Sequence, residues 1–156
     1  MLSNEERAFC DEDIKIEELY NSLGRMQSGK TPGNDGLTIE LYKCFWDQLQ
    51  MPLFNSVLYS KQVGELSTSQ RQAIIKLLEK QEKDKRFIEN WRPISLLNVD
   101  TKIISKALAN RLKKVLPSII SSDQTAYVKG RFIGESTRLI SDILEITNSL
   151  SIDGYM

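Results

Sequence analysis

Apolar residues recur at helical spacing near the start of the chain. Ile16, Leu19, Tyr20, Leu23 and Met26 fall three and four apart within residues 14–26, with Glu17 and Glu18 early and Arg25 late. The stretch therefore predicts an amphipathic helix whose terminal charges suit its dipole. Residues 28–36, Ser-Gly-Lys-Thr-Pro-Gly-Asn-Asp-Gly, are turn formers and predict a loop. The helical period resumes at Leu37, Leu41, Phe45, Leu49, Leu53, Val57 and Leu58, with an interruption expected near Pro52 and an end at Gly64. Beyond it the pattern changes. Two short apolar runs, residues 73–78 and 93–97, flank a charged stretch containing Glu-Lys-Gln-Glu-Lys-Asp-Lys-Arg, which predicts a β-hairpin with a long charged tip.

After the hairpin, Asn98 or Asp100 is placed to cap a long helix running to Leu116 and stopped by Pro117. Its apolar stripe is Val99, Ile103, Ile104, Ala107, Leu108, Leu112 and Val115. Lys102, Lys106, Asn110 and Lys113 follow another face, which reads equally as a solvated surface or as a contact for a nucleic-acid backbone. Ser121-Ser122-Asp123 predicts a turn into a strand-like segment over residues 124–128, closed by Lys129-Gly130-Arg131. A last helix over residues 135–148 is expected to turn Leu139, Ile140, Ile143, Leu144 and Thr147 inward and to pair Arg138 with Asp142 outside. No internal repeat or low-complexity tract interrupts the pattern.

Composition narrows the functional classes. At 156 residues the chain is long enough for one domain with a real core, and its 40% hydrophobic and 27% charged residues are ordinary for a soluble fold. No apolar run approaches the ~18 residues of a membrane span. The N-terminus is polar and acidic where a secretory leader is basic and then apolar, so an intracellular chain, cytoplasmic or nuclear, is expected. Cys10 and Cys44 are isolated and expected to be reduced. The absence of histidine excludes Ser-His-Asp and Cys-His catalysis and disfavours zinc. Net charge is zero, but residues 1–75 hold more acids than bases while residues 76–131 are basic, which points to an anionic partner.

Residues 24–31, Gly-Arg-Met-Gln-Ser-Gly-Lys-Thr, match the phosphate-loop pattern G-x-x-x-x-G-K-[ST]. That motif needs a strand before it and a helix start after it, whereas here a helix precedes and Pro-Gly-Asn-Asp-Gly follows. The match is set aside, and Gly24 is expected to end or pack the first helix.

Four ordered blocks carry a resemblance. They are residues 28–37 with Glu40-Leu41-Tyr42-Lys43 and Phe45-Trp46; Asn90-Trp91-Arg92-Pro93-Ile94-Ser95-Leu96-Leu97-Asn98; Lys102-Ile103 with Lys106 and Leu108-Ala109-Asn110-Arg111-Leu112; and Gln124-Thr125-Ala126-Tyr127-Val128-Lys129-Gly130-Arg131. Together they resemble the reverse transcriptases of non-LTR (LINE-type) retrotransposons over nearly the whole chain. The resemblance implies an α+β fold, helix-rich with a β-hairpin, forming the fingers and the start of the palm of a right-hand polymerase. Residues 1–36 would lead into the domain and residues 37–156 would form its fingers and early palm.

It further implies that Lys80 and Arg92 bind the triphosphate of the incoming nucleotide. A point charge and a planar fork over the leaving pyrophosphate suit phosphoryl transfer. Lys102, Lys106, Lys113, Gln124, Gly130 and Arg131 would contact template or nascent duplex, and Trp91 would pack in the core or stack on a base. The implied partners are an RNA template, a DNA primer and deoxynucleoside triphosphates, with no membrane. Two departures matter. Glu79 stands where relatives commonly have proline, an anion beside Lys80, so that Lys76 or Lys83 could substitute for it; and Ala126-Tyr127 replaces the frequent Gly-Phe. The aspartate blocks D-x-x-K-A-F-D and Y/F-x-D-D do not occur, and Asp153 before Gly154 reads as a turn residue. The expectation is a fragment inactive by itself, with Mg²⁺ belonging to the full-length family only. The alternative is a non-catalytic RNA-binding or decayed interaction module.

Overall fold

The computed structural model describes residues 2–149, so the turn reading of Asp153 lies outside the described residues. They form two compact units: the larger holds residues 12–110, the smaller residues 2–11 with 111–149.

The larger unit opens with α2 (Ile16–Gly24), following the short α1 (Asn4–Asp11) of the smaller unit. Glu18 reaches back to accept the Lys15 N–H at 2.9 Å, satisfying one of the donors a helix start leaves open. A loop leads to α3 (Ile39–Cys44), capped by the Thr38 hydroxyl, which accepts the Leu41 N–H at 3.3 Å. The next helix, α4 (Trp46–Val63), ends at Gly64, whose φ of 78° is the left-handed value a glycine supplies at a helix C-terminus.

The interruption in this helical region falls at Phe45, not near Pro52. Phe45 (φ −106°, ψ 28°) closes α3 by donating to Leu41 O at 2.9 Å, and its own carbonyl opens α4 by accepting from Leu49 at 3.0 Å. Pro52 is exposed within α4, where its missing N–H forgoes one bond on the solvent side. The break also shifts the phase of the apolar stripe: Ile39, Tyr42 and Trp46 are buried while Leu37 and Phe45 are exposed. With Ile14, Leu19, Leu23, Leu53, Val57, Val99, Ile103, Ile104 and Ala107 they make one core.

From this core projects the hairpin of β1 (Ala73–Glu79) and β2 (Trp91–Leu97), antiparallel from Ala73↔Leu97 to Glu79↔Trp91. α5 (Val99–Ile119) begins two residues after it. The Asn98 carbonyl accepts the Lys102 N–H at 3.1 Å, as expected of a residue before a helix, but its side chain does not cap. Of the predicted α5 stripe, Leu108 and Leu112 are half exposed.

In the smaller unit, α1 begins with a reciprocal cap, Ser3 N–H to Glu6 Oε2 at 2.8 Å and Glu6 N–H to Ser3 Oγ at 3.1 Å. Phe9 lies under two cations of α5, 5.8 Å from Arg111 Cζ and 4.6 Å from Lys114 Nζ. Pro117 does not stop α5. It sits in the last turn, where few carbonyls remain to be bonded, and Ile120 N–H continues the series to Leu116 O at 3.0 Å. Residues 124–128 form an irregular, bent segment rather than a strand: Tyr127 has φ 62°, and no ladder partner for the segment exists among the described residues. α6 (Gly134–Ser149) carries the Arg138–Asp142 pair at 3.9 Å, but Leu139, Ile140, Ile143 and Leu144 are exposed, because no described element of this unit covers their face.

Candidate nucleotide and nucleic-acid interface

Side chains alternate across a strand, and residues opposite one another share a face. The pairs Lys76↔Ile94 and Leu78↔Arg92, continued by the Lys80 N–H donating to Asn90 O at 2.8 Å, therefore set Lys76, Lys80 and Arg92 on one face of the hairpin. Lys80 and Arg92 are diagonal neighbours there. Glu79 pairs with Trp91 and belongs to the opposite face, where Lys85 holds its carboxylate at 2.6 Å. The anion adjacent in sequence to Lys80 is thus turned away and neutralised. Lys76 is the cation that shares the face of Lys80 and Arg92.

The tip between the strands is organised by its own backbone. Lys80 Nζ donates to Glu89 O at 2.7 Å, Asn90 Nδ2 to Asp84 O at 2.8 Å and Trp91 Nε1 to Lys85 O at 2.9 Å. Trp91, half-buried, ties down the tip rather than entering the core. Arg86 grips Asp84 with Nε 3.0 Å and Nη2 2.6 Å from Oδ2, which holds the carboxyl below its ordinary range and raises the guanidinium. The Arg92 side chain is exposed and has no hydrogen-bond or ion-pair partner among the described residues.

A second cationic feature lies at the foot of the hairpin. A groove of ≈ 720 Å³ is lined by Arg25, Lys30, Lys102 and Lys106, with Met26, Ile39, Leu96, Leu97 and Ala109 as apolar surface and no carboxylate in its lining. One lip is the 25–31 stretch, anchored at three points. Lys43 Nζ donates to Met26 O at 2.8 Å, Glu40 Oε1 accepts the Gly29 N–H at 2.6 Å, and Lys102 Nζ lies 3.4 Å from Thr31 O. The Gly29 bond keeps the Glu40 carboxyl below its ordinary range. No helix begins between Gly24 and Ile39, so the phosphate-loop match lacks its helix. Nor does Gly24 pack: a Cβ there would meet nothing.

The 145 residues that align with the Transposon TX1 uncharacterized 149 kDa protein of Xenopus laevis are 43% identical, covering 92% of this chain and 11% of that protein. The Retrovirus-related Pol polyprotein from type-1 retrotransposable element R1 of Bradysia coprophila is 25% identical over 91% of this chain and 14% of its own length. A putative 115 kDa protein in type-1 retrotransposable element R1DM of Drosophila melanogaster is 26% identical over 67% of this chain and 10% of its own. Residues 79–152 match the family Reverse transcriptase (RNA-dependent DNA polymerase). The chain carries reverse transcriptase sequence of the non-LTR retrotransposon kind. It spans only 10–14% of the length of these relatives.

The other residues singled out from the reverse transcriptase resemblance are less uniform. On α5, Lys102 and Lys106 line the groove; Asn110 is tied to Ser22 Oγ at 3.3 Å; Lys113 is exposed and is not among the lining residues. In the smaller unit Arg131 closes the end of α5. Its guanidinium donates to Gln124 O at 2.8 Å, Ile120 O at 3.0 Å, Pro117 O at 3.4 Å and Ser121 O. A fork so occupied stabilises terminal carbonyls of the helix. Gln124 is exposed, and Gly130 has φ 84°, so its glycine is required by backbone conformation. Reverse transcriptases generally use Mg²⁺, and no group of three or more Asp, Glu or Cys side chains that could hold a metal ion occurs among the described residues. No helix among them is long and apolar enough to cross a membrane.

Arg25 and Lys30 are the groove residues that sequence reasoning missed. Lys30 drew notice in the phosphate-loop pattern and in the first block of the resemblance, and Arg25 in that pattern and as a favourable charge at a helix end, but neither was given a place in the site.

Proposed function

We propose that this chain is the fingers-side part, with the start of the palm, of an RNA-directed DNA polymerase from a non-LTR retrotransposon, with residues 1–36 leading in. Its role is to hold the incoming deoxynucleoside triphosphate and the RNA template, while the metal-binding aspartates belong to parts of the polymerase outside this sequence. The observation that carries the reading is the hairpin register. It gathers Lys76, Lys80 and Arg92 on one face with Glu79 on the other, an arrangement suited to neutralising a triphosphate by charge and position. The groove of Arg25, Lys30, Lys102 and Lys106 supports the template half, since cations around an apolar floor suit a single strand that presents both phosphates and bases. Gln124, Gly130 and Arg131 are assigned to template or nascent duplex on the resemblance alone and Lys113 on its place in the basic face of α5, and for Arg131 the contact would have to come from a side chain already engaged with carbonyls.

The test is a pair of titrations on the 156-residue chain. Binding of a labelled single-stranded RNA should weaken with salt, and Lys102→Ala and Lys106→Ala should each lower the log–log salt slope by about 0.7. Affinity indifferent to salt would sink the template role. Arg92→Ala should weaken deoxynucleoside triphosphate binding, whereas Glu79→Gln should change it little. A large gain on Glu79→Gln would mean that the carboxylate faces the phosphates after all.

A further inference from the structure

The hairpin has almost no lateral support. All seven residues of β1 are exposed, as are Arg92, Pro93, Ile94 and Ser95 of β2, so neither face lies against the helical core of its own unit. Its direction must be set at its foot, and there a single buried side chain joins the segments involved. Asn98, 2% exposed, follows the last residue of β2 and precedes α5. Its Nδ2 donates to Ser69 O at 3.0 Å, in the turn that feeds β1, and its Oδ1 accepts from Asp35 N–H at 3.4 Å, in the loop that leads to α3. Thr101, one turn into α5, repeats the connection: its hydroxyl donates to Gln70 O at 3.1 Å. Gln70, also buried, donates through Nε2 to Ser56 Oγ of α4 at 3.2 Å.

The fit is tight. A Cβ on Gly33 would stand 2.5 Å from Asn98 N and 2.6 Å from its Cα, so the loop approaches the α5 start as closely as only glycine permits.

We propose that Asn98 is a positioning residue, the pivot that fixes the pitch of the β1–β2 hairpin against the helical core and thereby where Lys76, Lys80 and Arg92 stand. It acts by tying both ends of the hairpin to one point: the outgoing strand covalently, the incoming strand through Ser69. An amide serves where a carboxylate would not, because it donates to one carbonyl and accepts from one N–H at the same time. This goes beyond the polymerase reading and does not depend on which anion the hairpin meets.

The test reads the pitch directly. Spin labels on exposed Cys44, the last residue of α3, and on a cysteine introduced by Lys83→Cys at the tip, in a Cys10→Ser background, report a tip-to-core distance distribution in the full chain. Asn98→Asp keeps the acceptor and loses the donor to Ser69; the width of the distribution should about double while helical circular dichroism is unchanged. Thr101→Val, which removes the hydroxyl's bonds to Gln70 O and to the neighbouring Asp100 Oδ1 but leaves the Asn98 side chain in place, should broaden it less and serves if Asn98→Asp fails to fold. An unchanged distribution in a folded Asn98→Asp, or in Thr101→Val where Asn98→Asp does not fold, overturns the proposal. A merely structural role would lower the melting temperature without moving the tip.

Discussion

The helical core of the larger unit and the hairpin that leaves it are built from similar apolar side chains and use them in opposite ways. Leu19, Leu23 and Ile103 are at most 1% exposed, whereas Ile75 is 67% exposed and Ile74, Leu77, Leu78 and Ile94 are each at least 40% exposed. In the core, burial does the work: removing apolar surface from water stabilises by roughly 25 cal/mol per Å². In the hairpin little surface is removed, and order comes from the ladder, the bonded tip and the pivot at Asn98. The contrast teaches that the hairpin is presented rather than packed, and its stability and its geometry therefore answer to different residues.

Substitutions can break that contrast, and the largest effect belongs to the core. Leu19→Ala, at a fully buried site, should cost about 2–5 kcal/mol in urea unfolding followed by circular dichroism. A pH series addresses the same core. Burial, reinforced by the Asp100 and Asp35 carboxylates, pushes the Tyr42 phenol up to about 12 from its ordinary 10. The unfolded chain deprotonates first, so this contribution is present below pH 10 and is lost as pH rises from 10 towards 12. Tyr42→Phe should lack that loss, a difference of about 2–3 kcal/mol at most, read as the gap between alkaline unfolding curves.

At the junction of the two regions, Gly33→Ala should cost about 1–3 kcal/mol by overpacking against Asn98. Pairing it with Asn98→Ala should not restore stability, because the clash includes backbone atoms; full rescue would mean that the loop yields. The smallest effect is expected on the hairpin itself. Ile75→Thr should change global stability by no more than about 0.5 kcal/mol. A loss comparable to Leu19→Ala would show that this strand is packed after all.

These regions were also unequally legible in the sequence. α2, the loop after it, the end of α4 at Gly64 and the hairpin follow from local periodicity and turn chemistry, and the structure has them. Register made Lys76 a companion of Lys80 and turned Glu79 away, which the order of residues alone left open. α1 was missed although Ser3-x-x-Glu6 is a capping signature, because its short stretch has little apolar surface to reveal a period. The phase break at Phe45 is set by packing of Ile39, Tyr42 and Trp46, and no local residue preference marks it. Pro117 persists inside α5 because it sits in the last turn, near carbonyls taken up by the Arg131 fork, and that fork comes from a residue 14 positions on. The expected strand at residues 124–128 failed for want of a partner, whereas α6 formed where expected but kept its apolar face exposed for want of a cover. Both depend on other chain segments. The candidate site was legible as residue types, whereas the partners that occupy Asn98, Asn110 and Arg131 were not.

Alternation along β1 and β2 has a consequence of parity. The tip between Lys80 and Asn90 lies beyond the last ladder pair, so residues gained or lost at its centre leave the faces of Lys76 and Arg92 untouched. Within β1, a single inserted residue between Lys76 and Lys80 would send these two lysines to opposite sides, while two inserted residues would return them to the same side. Descendants of this sequence are therefore free to vary the tip by any number, but the strands only by even ones.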